Sequence, residues 1–171
     1  MERKIIGVIS GKGGVGKTTF VAALSYLANS DKENSIIVLD CDVDAPKLAL
    51  VLPPKDQQIV KNQDIFTTLK AIFVKNKCVQ CKKCAEEHFC EFNALQWNNE
   101  INYPLVNYLA CEGCGACKIL CPEHAFVIEL VKSGEIIAYR TTYGFPLVYG
   151  RTRLGSSTSG KLVSNVKAYA K

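Results

Sequence analysis

The apolar positions of this chain change period several times, and each change marks an element. Ile5 to Ser10 reads Ile-Ile-Gly-Val-Ile-Ser, a nearly continuous apolar run of the kind a doubly covered parallel strand carries. Phe20, Ala23, Leu24 and Leu27 then recur at helical spacing, which predicts a helix from Lys17 to about Asn29, that face against a sheet, ending at Asn29-Ser30-Asp31. A second strand is expected over Ser35 to Asp40, and the β-α-β order predicts a right-handed parallel crossover. From about Asn62 the periodicity fades, and Ile65 to Lys77 is a short mixed segment. Two hairpins follow: Ala94–Trp97 with Ile101–Tyr103 around Asn98-Asn99-Glu100, and Phe126–Leu130 with Ile136–Arg140 around a Lys-Ser-Gly-Glu turn at 132–135. Phe145 to Tyr149 reads as a third buried strand. Leu162, Val163, Val166 and Tyr169 then predict a helix over Ser159 to Lys171.

The first strand runs straight into Gly11-Lys12-Gly13-Gly14-Val15-Gly16-Lys17-Thr18-Thr19, which satisfies G-x-x-x-x-G-K-T. In such a loop the glycines let backbone N–H groups curl around phosphate oxygens, Lys17 neutralises them, and the Thr18 hydroxyl reaches Mg²⁺. Strand, glycines and helix together make a nucleoside triphosphate with Mg²⁺ the expected ligand, which the resemblance given below narrows to ATP. A second glycine–serine loop, Gly155 to Lys161, fits most of the same pattern, but Leu162 stands where the magnesium-binding hydroxyl belongs, so it is read as a chance match.

Between these ends, cysteines replace periodicity as the organising signal. Cys78, Cys81, Cys84 and Cys90 form one group and Cys111, Cys114, Cys117 and Cys121 another, each a C-x2-C-x2-C run with a fourth cysteine after it. This resembles the sequence form of a bacterial two-cluster ferredoxin. The resemblance implies two 4Fe-4S clusters with the remote ligand exchanged between groups: Cys78, Cys81, Cys84 and Cys121 on one, Cys111, Cys114, Cys117 and Cys90 on the other. Cys121-Pro122 fits that pattern, whereas Cys84 and Cys90 stand further apart than usual and Glu91 replaces the proline. Paired zinc sites are the competing reading, but a third cysteine at the same short spacing is redundant there. His88 and His124 lie beside the groups as alternative metal ligands. Trp97, Tyr103, Tyr108 and Phe126 read as packing around the clusters.

Composition narrows the class. The 171 residues are 48% hydrophobic, enough for a globular core, and no apolar run approaches the roughly 18 residues of a membrane helix. Nine cysteines behind a start of Met1-Glu2-Arg3-Lys4 predict a soluble cytoplasmic protein in a reducing compartment. The formal charge is +5. Two oxidised clusters of about −2 each bring it to about +1, so the basicity largely disappears and no nucleic-acid partner is expected. Lys75, Lys77, Lys82 and Lys83 sit among the cysteines, where they can balance a cluster or steer an acidic redox partner protein.

Lys12, a second lysine inside the phosphate loop, makes the chain resemble the MinD and ParA ATPases, and the whole is similar to superfamily members carrying an inserted ferredoxin domain, distant relatives of the nitrogenase iron protein. The implied fold is α/β: a partial parallel sheet of the P-loop NTPase type over 1–61, an inserted α+β ferredoxin module over 62–142, and a return segment over 143–171. The resemblance implies a homodimer through the nucleotide face, with Lys12 reaching the partner's phosphates. It also places Leu39-Asp40-Cys41-Asp42-Val43-Asp44-Ala45-Pro46 at the first switch, with Asp42 positioning the attacking water. By period two Asp40 shares that face and is a further metal partner, Asp44 is another candidate, and Cys41 points away into packing. Such ATPases continue into an Asp-Gly-x-x-Gly switch and further strands, so a shortened member is expected here, binding nucleotide more securely than it turns it over. Three functions follow: nucleotide-dependent dimerisation coupled to electron transfer or cluster delivery, a simple electron carrier on an inactive ATPase, and an iron–sulfur assembly scaffold.

Overall fold

The computed structural model describes residues 4–30, 35–57, 61–156 and 159–169. It divides into two compact units, Met1–Gln63 with Ile136–Arg151 and Val163–Lys171, and Asp64–Glu135 with Thr152–Leu162. The first division falls two residues from the expected boundary at 61. Residues 136–142, expected in the central module, belong to the first unit, and 152–162 belong to the second. The end of the last expected helix, Ala170 and Lys171, lies outside the described residues, as does Asp31.

In the first unit, helix α1 covers Lys17–Ser30 and strand β1 covers Val38–Asp40. A one-turn helix α2 follows at Leu48–Val51. Strand β6, Pro146–Thr152, lies parallel to β1 with Val38 opposite Leu147 and Asp40 opposite Tyr149, so the expected third strand is present, whereas the crossover expected between Ile5–Ser10 and β1 is not. The core is Val38, Leu48, Leu52, Ile137, Tyr139, Phe145 and Leu147, onto which Val21, Ala22 and Ile36 pack. Tyr139 is buried and its hydroxyl donates to the Leu52 carbonyl at 2.8 Å. Burial, with Tyr149 nearby, pushes its pKa up to about 12.

Two expectations fail in this unit. Ile5 to Ser10 is not a buried strand: the segment is irregular, and Ile5 and Ile9 are each 92% exposed. A parallel strand needs neighbours to take its N–H and C=O groups, and among the described residues none stands beside it. Helix α1 also packs by a different face. Val21, Ala22 and Ser25 turn inward while Phe20 and Leu27 remain 58% and 66% exposed. The helix is apolar on most of its circumference, so periodicity alone does not choose the side.

The second unit is built on β2 (Lys61–Phe73, from Asp64 on) and the first ten residues of β5 (Phe126–Arg140), which lie side by side. Strands β3, Leu95–Asn98, and β4, Tyr103–Val106, form an antiparallel hairpin where one was expected, but its second strand starts at Tyr103 where Ile101–Tyr103 was expected and Asn98 pairs within the ladder; short helices α3 and α4 cover Lys83–Glu86 and Ala116–Leu120. Helix α5 covers Ser159–Ala168. Phe126 to Arg140 is therefore one strand and not the second hairpin. Lys132-Ser133-Gly134-Glu135 continues it because β2, expected only as a mixed segment, supplies its partner. Ser133 is buried, donates to the Ile65 carbonyl at 2.9 Å and accepts from the Thr67 N–H at 3.1 Å, so its polarity is absorbed sideways. Gly155, in the second glycine–serine loop, has φ of +79° and a Cβ there would lie 3.0 Å from the Leu109 side chain, so it serves close packing. Ser157 and Thr158 of that loop lie outside the described residues.

Ser133→Ala removes the hydroxyl that bonds the buried Ile65 carbonyl and the half-buried Thr67 N–H, a loss of roughly 1–3 kcal/mol. Lys132→Ala, which removes the partly exposed ion pairs to Asp64 at 2.6 Å and to Glu135 at 3.9 Å, is expected to cost less than about 1 kcal/mol. Urea denaturation of the two variants measures the difference.

Candidate functional site

The phosphate loop is shaped as its glycines require. Gly14 and Gly16 have φ of +76° and +88°, left-handed conformations that side chains disfavour, and α1 starts at Lys17 with the Phe20 N–H bonded to the Gly16 carbonyl at 2.9 Å. Gly11, Lys12, Gly13 and Val15 are exposed along the loop, as is Thr19, while Lys17 and Thr18 are half-buried at the helix start. Ser10 holds the loop together: its hydroxyl donates to the Lys12 carbonyl at 2.9 Å and accepts from the Lys17 ammonium at 2.9 Å. Sequence reasoning did not single out Ser10, although a hydroxyl at the mouth of such a loop is a signal for it. The exposed N–H groups and lysines at the start of a 14-residue helix suit a polyphosphate.

The acidic segment is arranged differently from the expectation. Strand β1 ends at Asp40 and the Ala45 N–H closes a turn on the Asp42 carbonyl at 3.2 Å, so strand periodicity no longer places Asp42 on Asp40's face. Asp40 is buried and accepts from the N–H groups of Asp42, Lys47 and Leu48, all at 3.0 Å. Most of its lone pairs thus cap the following turn and α2. Asp42 and Asp44 are exposed, and Cys41 is half-buried with its pKa raised, chiefly by burial.

The eight remaining cysteines fall into two sets, each around its own concavity. Cys78, Cys81, Cys84 and Cys121 line the first, and Cys90, Cys111, Cys114 and Cys117 line the second. Each holds about 320 Å³ of empty space, part of it open to solvent. Among the described residues no group of three or more His, Cys, Asp or Glu side chains stands close enough to hold a single ion. Four soft sulfur donors around one concavity are a donor set that iron–sulfur clusters and zinc both accept. His88 and His124 are exposed and line neither concavity.

The two halves repeat in detail. Gln80 and Gly113 occupy the same place in their loops with φ of +60° and +66°, and Lys82 and Gly115, at +61° and +86°, start α3 and α4. After the fourth cysteine the match continues. Asn93 and His124 have φ of +52° and +49°, and the N–H groups of Ala94 and Ala125 reach the sulfurs of Cys90 and Cys121 at 3.3 and 3.4 Å. The Ala94 and Ala125 carbonyls accept from Asn107 and Val74, each four residues before the first cysteine of a set, at 2.7 and 2.9 Å. Cys90 therefore has the same local geometry as Cys121 despite the longer spacing before it and Glu91 after it. One difference is steric: a Cβ on Gly113 would lie 2.2 Å from the Leu69 carbonyl oxygen, so that position admits only glycine. The Trp97 Nε1, beside the first concavity, is buried and has no hydrogen-bond partner among the described residues.

The metal-free thiols resist ionisation. Burial first, then the neighbouring thiols Cys78, Cys121 and Cys81, push Cys84 up to about 11. Burial and then Cys111, Cys114 and Cys90 do the same to Cys117, also to about 11. Four thiolates can coexist in such a space only around positive charge.

A family model for the CobQ/CobB/MinD/ParA nucleotide binding domain matches residues 6–169. An uncharacterised protein of Methanocaldococcus jannaschii is 37% identical over 97% of this chain, which spans 54% of that relative, about half its length. Partial similarity extends to iron–sulfur ferredoxin-type sequences. The ferredoxin-type protein NapF of Haemophilus influenzae is 35% identical over 33% of this chain and 33% of its own. The indolepyruvate oxidoreductase subunit IorA of Pyrococcus abyssi is 39% identical over 36% of this chain and 9% of its own. No solved structure matches significantly. No helix among the described residues is long and apolar enough to cross a membrane.

Gly113→Ala is expected to cost about 3 kcal/mol or more, because backbone must move, while Gln80→Ala at the equivalent position stays within about 0.5 kcal/mol. Denaturant midpoints of the reduced, metal-free proteins check this. The raised thiols give a pH signature. Folded Cys84 and Cys117 stay protonated where unfolded cysteines ionise, so their contribution is full below pH 9 and disappears as pH rises to about 11. Urea midpoints of metal-free protein should fall across that window, and less steeply when both are changed to Ser.

Proposed function

Because the chain belongs to the CobQ/CobB/MinD/ParA nucleotide-binding family over residues 6–169, we propose that it is an ATP-binding iron–sulfur protein in which nucleotide binding and dimerisation are coupled to electron transfer or cluster delivery. The observation that carries this reading is the pair of four-cysteine concavities in the same chain as the phosphate loop. The second unit is read as an inserted ferredoxin module. Cys78, Cys81, Cys84 and Cys121 hold one 4Fe-4S cluster, and Cys90, Cys111, Cys114 and Cys117 hold the other. Such clusters supply one-electron chemistry when bound. The chain's own residues set their surroundings: backbone N–H groups of Ala71, Ala94 and Ala125 donate to ligand sulfurs, and Cys81 and Cys114 lie at the surface where a redox partner can approach.

On the nucleotide side, the N–H groups of Gly11 to Gly16 cradle the phosphates, Lys17 leaves Ser10 to neutralise them, Thr18 and Thr19 open the helix beside Mg²⁺, and Lys12 reaches the facing protomer. Asp42 is the exposed acidic candidate for positioning water. Asp40, already committed to three backbone N–H groups, favours a second reading in which nucleotide is bound without turnover and the module acts as an electron carrier.

Anaerobically purified protein, assayed for iron, sulfide, visible absorbance and Mg²⁺-dependent ATP binding, tests both halves. About eight irons with ATP bound is the expected result. Lys17→Ala should abolish ATP binding and keep the absorbance, and Cys114→Ala should lose cluster absorbance and keep ATP binding. Electron transfer to an acceptor that is indifferent to ATP and to Lys17→Ala would leave the carrier reading and remove the coupling.

A further inference from the structure

Among the described residues Lys70 is the one buried lysine, only 4% exposed, and no carboxylate pairs with it there. Its ammonium donates to the backbone carbonyl of Cys111, one of the cysteines of the second concavity. The next residue, Ala71, lines that concavity and gives its N–H to the Cys111 sulfur at 3.4 Å. A buried ammonium facing a single neutral carbonyl is costly, and chains keep such groups where a compensating negative charge is near.

The internal repeat supplies a control for this position. Ala71 stands three residues before Val74 and Pro104 three before Asn107, the two residues whose N–H groups bond the Ala125 and Ala94 carbonyls. Pro104 lines the first concavity as Ala71 lines the second, but has no N–H to give Cys78. The counterpart of Lys70 is then Tyr103, which is neutral and has only the exposed Lys75 ammonium 4.8 Å from its ring centre. The buried charge and the sulfur bond beside it are confined to one half.

We infer that Lys70 is the buried positive charge that balances the cluster held by Cys90, Cys111, Cys114 and Cys117 and raises the potential of that cluster alone. The inference rests on the two-cluster reading. When that cluster takes one electron from a reductant its net charge becomes more negative by one. A fixed ammonium stabilises the reduced form more than the oxidised one, so the potential rises. Lys70 acts through charge and the Cys111 backbone without contacting iron, which makes it a positioning residue.

The test is potentiometry with dithionite as reductant, followed by electron paramagnetic resonance, on the full chain purified anaerobically, with iron and sulfide counted in every sample. Lys70→Met and Lys70→Gln are compared with Lys70→Arg, and the Gln variant keeps a donor for the Cys111 carbonyl while losing the charge. The expected result is full iron content with one of the two potentials lowered in both neutral variants, and both unshifted in Lys70→Arg. Cys114→Ser and Cys81→Ser, each altering the signal of one set, identify the cluster that moves. Full iron with both potentials unchanged, an equal shift of both, or a shift confined to the Cys81 set overturns the role of Lys70 and leaves the two-cluster reading intact. An unmodified chain without iron and sulfide overturns both. If the neutral variants lose iron, Lys70→Arg decides: retained iron with an unshifted potential supports the charge, and its loss of iron overturns it in favour of packing.

Discussion

Burial of the thiols, with their mutual repulsion second, is the constraint on which the second unit depends. Its buried cluster consists of Ala71, Phe89, Ala94, Cys111, Cys117, Cys121, Ala125 and Phe126, with Cys78, Cys84 and Cys90 against it. Phe73, Leu95, Val106 and Ile128 pack against it as well, so the thiols share this interior with ordinary apolar side chains. Its thiols also cannot all ionise in the absence of positive charge, as the rise of Cys84 and Cys117 to about 11 records. Whatever occupies the concavities must bring positive charge to the sulfurs, and its binding energy then becomes folding energy.

The backbone of the unit makes sense on the same terms. Left-handed residues recur at Gln80 and Gly113, at Lys82 and Gly115, and at Asn93 and His124, because a chain turning its sulfurs and N–H groups toward one point cannot stay helical or extended. Side chains bear that conformation at four of the six positions, at a modest cost. Only at Gly113 does a neighbouring carbonyl, that of Leu69, remove the choice. The repeat is thus one of backbone geometry, and its side chains are free to differ wherever no backbone approaches closely.

What was legible in the sequence follows from whether a signal is local. The phosphate loop, helix α1, the hairpin of β3 and β4 and the grouping of the cysteines depend on spacing over a few residues, and each was readable. The pairing of β2 with β5 joins segments some 60 positions apart, as Ser133 and Thr67 show, so the polar Lys132-Ser133-Gly134-Glu135 read as a turn when it is a strand absorbing its polarity laterally. The inward face of α1 was misjudged because apolar residues occupy most of its circumference. The failure at Ile5 to Ser10 has another source: apolar continuity reports suitability for a sheet interior, and a strand forms only where neighbours accept its hydrogen bonds.

The asymmetry between halves carries the argument one step further. Were the repeat only a device for holding two equal groups, nothing would favour a buried lysine at position 70 opposite a tyrosine at 103, or an N–H at Ala71 opposite a proline at 104. Both differences put positive charge or positive dipole beside Cys111 and withhold it from Cys78. The first concavity has instead the unpartnered Trp97 indole and exposed lysines such as Lys82, whose ammonium lies 5.7 Å from the Trp97 ring centre, charges that salt screens far more than a buried one. On the proposed two-cluster reading, two groups of one type in unequal fields make a gradient within a single unit, and such a gradient would give an electron a preferred resting place.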